Sequence, residues 1–178
     1  MCVPSANCVP LLIQRSVGTK HAFNRSWSEF RVGFGDAIGN YWLGNDLLSR
    51  LTADDDRYKL RFDLQSRSSG RWFHAEYSTF RVLSEADDYR LEVDGYVGNA
   101  GRDALGYQDA MAFSTVDRDN DQLTLGHCAR LKGGGFWNRD CAYCSVNGDC
   151  GLMCDDFYWY ELPGGRQLRA SRMWLMCK

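Results

Sequence analysis

From Tyr58 to Leu64 the chain alternates strictly, with Tyr58, Leu60, Phe62 and Leu64 apolar and Lys59, Arg61 and Asp63 charged. Successive side chains of a strand point to opposite faces, so this pattern predicts a half-buried β-strand. Ser66 to Gly70 reads as a hairpin turn, Trp72 to Leu83 as the returning strand, and Tyr89 to Val93 as a repeat of the alternation; together they predict an antiparallel meander. Leu168 to Met176 is expected to close the sheet. A short apolar strand is expected from Val9 to Ile13, in a segment broken by Pro4 and Pro10. Ahead of the meander the period is helical. Ser26-Trp27-Ser28-Glu29 fits a capping box, in which Ser26 accepts from the Glu29 amide while Glu29 reaches back, so a short helix should start here and stop at Gly33. A second helix is predicted from Asn45, as N-cap, to Leu51, with Leu47, Leu48 and Leu51 at helical spacing. The turn from Gly39 to Gly44 should carry Tyr41 and Trp42 into the core between the two. Beyond Tyr96 glycines crowd the chain, with one helical turn expected at Asp103 to Tyr107, and this half reads as loops, where binding residues concentrate. The implied class is α+β: a twisted antiparallel sheet, short flanking helices and a loop-rich binding region.

Composition narrows the setting. A chain of 178 residues suffices for one domain with its own core. Eight cysteines and an Asn24-Arg25-Ser26 glycosylation sequon point to an oxidising, extracellular compartment. The net charge of −2 offers nothing to attract nucleic acid or an anionic membrane. No run approaches the roughly 18 apolar residues of a membrane helix.

Between Phe113 and Cys128 lies Asp117-x-Asp119-x-Asp121. Three alternating carboxylates can turn their oxygens to one side, and Ca²⁺ takes six to eight oxygens at about 2.3–2.6 Å. An EF-hand is excluded, because Gln122 and Cys128 stand where that loop needs Gly and Glu. Taken alone, such a stretch is as readily a solvated acidic turn.

The surrounding motifs run, in order, through Phe23-Asn24-Arg25-Ser26-Trp27, Gly33-Phe34-Gly35-Asp36, Gly39-Asn40-Tyr41-Trp42-Leu43-Gly44-Asn45, Ala75-Glu76-Tyr77, Tyr96-Val97-Gly98-Asn99-Ala100-Gly101, Phe113-Ser114-Thr115 and Asn147-Gly148. In this the chain resembles the fibrinogen-like domains of fibrinogen chains, ficolins, tachylectins, angiopoietins and tenascins, over almost its whole length. The resemblance implies a single domain spanning 1–178, with its front end incomplete and Cys2 left over from an early cysteine pair. It thus implies a piece of a longer secreted protein whose oligomerising stalk lies elsewhere. It implies Ca²⁺ held by Asp119 and Asp121 with the carbonyls of Leu123 and of Thr124 or Leu125, although this loop is one residue longer than in several relatives. Asp117 is expected to hydrogen-bond within the loop. A Cys128–Cys141 disulfide is likewise implied, pinning the calcium loop to the binding loop.

In the lectin-like branch an acetyl group enters an aromatic funnel beside that loop. This places Phe136, Trp137, Asn138, Asp140, Cys141 and Ala142 at the pocket, with Asp140–Cys141 as the candidate cis peptide. Acetyl-binding relatives carry a histidine at Ala142 and often a tyrosine at Asn138. With Asp140, Asp155 and Asp156 nearby, an acidic pocket would instead suit an ammonium such as a peptide amino terminus. Aromatic residues 157–160 are expected to pack in the core more than to rim the pocket. The other cysteines, Cys2, Cys8, Cys144, Cys150, Cys154 and Cys177, leave their pairing open. Local disulfides in the 144–154 loop, with Cys177 as a further partner, are favoured over a zinc site at Cys141, Cys144, Cys150 and Cys154.

Enzyme motifs are absent: there is no H-E-x-x-H, G-x-S-x-G or P-loop. His127 stands beside a cysteine expected in a disulfide, which has no thiolate to offer, and is expected to be a surface or hydrogen-bonding residue. The preferred expectation is a secreted, calcium-dependent recognition domain for carbohydrate or acetylated groups, as in ficolin and tachylectin lectins. The alternative is a protein-binding module for receptor signalling, matrix adhesion or clot-like assembly.

Overall fold

The computed structural model describes residues 9–54, 57–149 and 155–178. In chain order its elements are β1 (Leu11–Ser16), α1 (Trp27–Val32), β2 (Phe34–Gly35), β3 (Tyr41–Trp42), α2 (Asn45–Leu51), β4 (Tyr58–Ser66), β5 (Trp72–Val82), β6 (Leu91–Gly98), β7 (Phe113–Ser114), α3 (Cys128–Lys132), β8 (Phe136–Trp137), β9 (Cys144–Ser145), β10 (Tyr158–Trp159) and β11 (Leu168–Cys177). Single 3-10 turns sit at Glu85–Asp87 and Gly106–Gln108, the second slightly beyond the turn expected at Asp103 to Tyr107.

Seven strands form one antiparallel sheet in the order β2-β3-β1-β11-β4-β5-β6. The alternation in β4 is met residue by residue: Tyr58, Leu60, Phe62 and Leu64 are buried. On the opposite face Lys59 and Arg61 pair with Glu76 at 2.6 and 2.9 Å. The C-terminal strand departs from its expected place. Rather than closing the sheet at an edge, β11 lies at its centre, with Leu175 opposite Leu11 on one side and Leu60 on the other. β6 also begins later than Tyr89, because Asp88 and Tyr89 both take positive φ, at 53° and 50°, and turn the chain before pairing resumes at Leu91. β1 spans Leu11–Ser16 instead of Val9 to Ile13, Val9 being exposed.

The first helix forms where capping chemistry places it. Ser26 and Glu29 make the reciprocal capping box, and Gly33 ends α1 at φ 93°. In α2 the N-cap is Gly44, with φ 105°, and not Asn45. The Asn45 side chain is committed elsewhere, accepting from Trp42 Nε1 at 2.9 Å, so its oxygen is not free to cap the helix. Leu48 is buried, whereas Leu47 faces outward.

The loop-rich half is attached to this scaffold through aromatic packing. Phe113 of β7 has its ring centroid 5.1 Å from Phe30, 5.8 Å from Trp42 and 5.2 Å from Trp137. Each such pair adds about 0.5–1.5 kcal/mol beyond the area it buries. Since Phe113 immediately precedes the acidic loop and Trp137 ends β8 just before the Asn138–Asp140 segment, this cluster fixes the roots of both loops.

Candidate metal centre and binding face

The acidic loop is held by its own backbone. Thr115 and Arg118 exchange amide–carbonyl hydrogen bonds, and Asn120 Nδ2 donates to Phe113 O at 2.8 Å while its amide donates to Ser114 Oγ. Asp117 turns away from the other two acids. Its Oδ1 accepts from the Trp27 amide at 2.8 Å and the Thr115 hydroxyl at 2.7 Å, at the N-terminus of α1 where negative charge is favoured. Burial pushes its carboxyl upward, but these hydrogen bonds outweigh it and hold the group below the ordinary carboxylate range. Arg118 stacks over the Trp27 ring and pairs with Asp88 at 2.5 Å, closing the same corner.

Asp119 and Asp121 remain together. Asp121 accepts from the Leu123 amide at 2.9 Å and from the Cys128 amide at 2.7 Å, while its own amide donates to Asp119 Oδ1 at 3.3 Å. Burial pushes the Asp121 carboxyl up, and Asp119 adds to the rise against the two amide donors. Leu123 folds over Gly126, and Leu125 projects its side chain into solvent, 95% exposed. The third group at this point is His127, which the sequence marks only as a surface or hydrogen-bonding residue. Its two ring nitrogens are both buried and lack a hydrogen-bond partner among the described residues, at a cost of about 1–3 kcal/mol for an unsatisfied polar group. One ligand atom from each of Asp119, Asp121 and His127 lies within 4.8 Å of the others. The carboxylates suit a hard cation; the imidazole is a donor of another kind.

Cys128 and Cys141 are disulfide-bonded, and the Gln122 amide donates to Arg139 O at 2.8 Å, so the acidic loop and the 139–142 segment form one unit. The Asp140–Cys141 peptide is cis. Of the residues expected at the pocket, Phe136, Trp137 and Asn138 are buried, and Trp137 Nε1 donates to Tyr89 O at 2.7 Å. The three acids do not make one pocket. Asp140 accepts from the Tyr107 hydroxyl, Asp155 from Gln167 Nε2, and Asp156 pairs with Lys132. Ala142 gives its carbonyl to the Tyr158 hydroxyl at 2.7 Å. Phe157, Tyr158 and Trp159 are buried as expected, but Tyr160, expected in the core with them, is exposed.

Beside the bridge lies an aromatic stack in which Tyr107 and Tyr143 are half-buried and Tyr160 is exposed. Tyr143 stacks on Tyr107 with centroids 3.9 Å apart and on Tyr160 at 5.0 Å, and Arg139 lies over Tyr107. The hydrogen bond to Asp140, aided by burial, pushes the Tyr107 hydroxyl up to about 12. These rings come from segments far apart in the chain, so only Tyr143, two residues after Cys141, carries a local hint.

The remaining cysteine expectations are corrected in part. Cys144 is a free, buried thiol whose sulfur donates to Gln108 Oε1 at 3.1 Å, which excludes it from a local disulfide. Burial pushes this thiol well above its ordinary value. A four-thiolate zinc site at Cys141, Cys144, Cys150 and Cys154 fails because Cys141 is bonded to Cys128. Cys177 is disulfide-bonded; Cys2, Cys8, Cys150 and Cys154 lie outside the described residues. Asn24 is exposed just before α1, with Ser26 of its sequon serving as the helix cap.

The sequence profile of the C-terminal globular domain of fibrinogen β and γ chains matches residues 4–170. The chain belongs to this fibrinogen C-terminal domain family. Human angiopoietin-related protein 7 is 40% identical over 159 residues, covering 86% of this chain and 45% of that protein. Protein scabrous of Drosophila melanogaster is 40% identical over 163 residues, covering 90% of this chain and 20% of that protein. The fibrinogen-like domain here thus spans less than half the length of these relatives. Among solved structures, the fibrinogen-like globe domain of human ANGPTL2 superposes with a TM-score of 0.82 at 34% identity, covering 94% of this chain and 79% of that one. Lamprey fibrin D-dimer, in complex with the peptide Gly-His-Arg-Pro-amide, gives a TM-score of 0.75 at 28% identity over 92% of this chain and 60% of that one. The α+β fold with a mainly antiparallel sheet is the one these domains share.

Proposed function

We propose that this fibrinogen-like domain is a non-catalytic, protein-binding module of a secreted protein, and that its partner docks on the face formed by Tyr107, Tyr143, Tyr160 and Arg139. The observation that carries this reading is the surface beside the Cys128–Cys141 bridge: Phe136, Trp137 and Asn138 are buried, while half-buried Tyr107 and Tyr143 stack with the exposed Tyr160 next to the exposed Arg139. Tyrosine and arginine are enriched in protein-interface hot spots, tyrosine because it brings large contact area with little side-chain entropy to lose. Similarity to angiopoietin-related proteins favours this over the carbohydrate-binding expectation. The Cys128–Cys141 disulfide fits an oxidising compartment, and among the described residues no helix is long and apolar enough to cross a membrane.

A divalent cation at Asp119 and Asp121, with Ca²⁺ the ion expected from the family, would stiffen the acidic loop that abuts this face. The domain, multimerised to raise avidity, should bind cell surfaces in a way that is lost after protease treatment of the cells. That binding should persist after enzymatic deglycosylation and in excess N-acetylglucosamine. Competition by the acetylated sugar would overturn the protein-binding reading in favour of a lectin.

A further inference from the structure

The acidic loop contains a donor that a calcium site does not use. His127 immediately precedes Cys128, whose disulfide and amide contact to Asp121 hold the end of the loop in place. The backbone therefore positions the imidazole independently of any ligand. Its side chain is 14% exposed, and both ring nitrogens are fully buried yet unpartnered. The nearest acid, Asp119 Oδ1, stands 3.9 Å from Nδ1, beyond hydrogen-bond range but suited to two groups facing a common ion. Asp121, which both neighbouring amides orient, completes the triangle.

We propose that His127 is a third side-chain ligand of the metal at Asp119 and Asp121, and that the site prefers a borderline transition ion of the Zn²⁺ class over Ca²⁺. Imidazole nitrogen is a good ligand for Zn²⁺, Cu²⁺ and Ni²⁺ and a poor one for Ca²⁺, which takes oxygen almost exclusively. Two carboxylates and one imidazole, with a fourth position open to water, make a donor set of the kind zinc accepts, at about 2.0–2.2 Å from each ligand atom. Ligands at that distance lie at most about 4.4 Å apart. The observed spacing within 4.8 Å thus asks for little more than a rotation of the Asp119 side chain, which is 42% exposed. The buried imidazole would then have the partner it lacks.

The inference rests on metal binding by Asp119 and Asp121 but not on the partner class. It is tested by calorimetric titration of Zn²⁺, and separately of Ca²⁺, into the intact disulfide-bonded protein, its His127→Ala variant and its Asp119→Asn variant, with thermal unfolding as the second readout. The wild type is expected to bind Zn²⁺ more tightly than Ca²⁺ and to be stabilised by it. His127→Ala should lose roughly 100-fold in Zn²⁺ affinity while its Ca²⁺ affinity is unchanged, and Asp119→Asn should weaken both. Comparing the two ions in the same folded variant separates ligation from any effect on folding. Ca²⁺ binding that depends on Asp119, with Zn²⁺ affinity indifferent to His127, would overturn this inference and leave the metal reading standing. Absence of Asp119-dependent binding by either ion would overturn both.

Discussion

Gln14 is fully buried in β1, and its amide nitrogen donates to Val146 O and Asn147 Oδ1 at 2.9 Å each, with Ser171 Oγ also within reach. Through this one side chain the sheet holds the segment that follows β9. Replacing Gln14 by Leu keeps the volume but strands several buried polar partners, so the variant should lose about 3 kcal/mol. For a domain of this length that is a fall in Tm of roughly 6–12 °C, measured by calorimetry; a shift under a degree would show the contacts to be dispensable. Nothing in the sequence around Gln14 signals this role, because the partners lie more than 130 residues away. Asp117 is different. Its separation from Asp119 and Asp121 was implied by the family resemblance, and the structure supplies its partners, the Thr115 hydroxyl and the Trp27 amide. His127 and Asn45 show the limit: both are polar residues at element ends, and whether each caps, pairs or stays unpartnered depends on side chains that only the tertiary fold brings near.

At the scale of elements, β4 and β5 are paired on their outer face by ions as well as by the ladder. Glu76 accepts from Lys59 and Arg61, and these contacts, Lys59's hydrogen bond foremost, hold its carboxyl below the ordinary value of 4.5 in spite of burial. A depressed carboxyl contributes stability that is present above its unfolded pKa and lost as pH falls through its folded pKa. Glu76→Gln should therefore be less stable than the wild type at pH 7, with the gap narrowing below about pH 4 and closing as the acid protonates. Denaturant unfolding at several pH values checks this, and a pH-independent gap would assign the loss to packing. The β4–β5 hairpin was readable because half-burial writes itself as alternation. The central place of β11 was not, since a strand buried between two neighbours and one at a sheet edge can carry the same alternating pattern. The short strands β7 to β10, of two residues each, have too few positions to show any period.

For the molecule as a whole, a sheet carries a loop-rich half whose two functional segments, the acidic loop and residues 139–142, are tied by Cys128–Cys141 and by the Gln122–Arg139 hydrogen bond. Opening that tie by Cys141→Ser should cost about 3 kcal/mol and act locally. Hydrogen exchange should show the Gln122 and Arg139 amides losing protection while those of β4 keep theirs; equal loss in β4 would mean that the bridge supports the whole fold. The family was legible in the ordered series of motifs, whereas the occupant of its binding face was not. The tyrosine platform is assembled from residues 107, 143 and 160, brought together by turns that have no sequence period. The account's central claim concerns that platform, and one comparison tests it most directly: binding of multimerised wild type and of the Tyr107→Ala/Tyr160→Ala variant to the same cells. The account predicts a loss of at least about tenfold in the folded variant, as expected for removal of interface hot spots. Unchanged binding by a variant with native unfolding behaviour would contradict it.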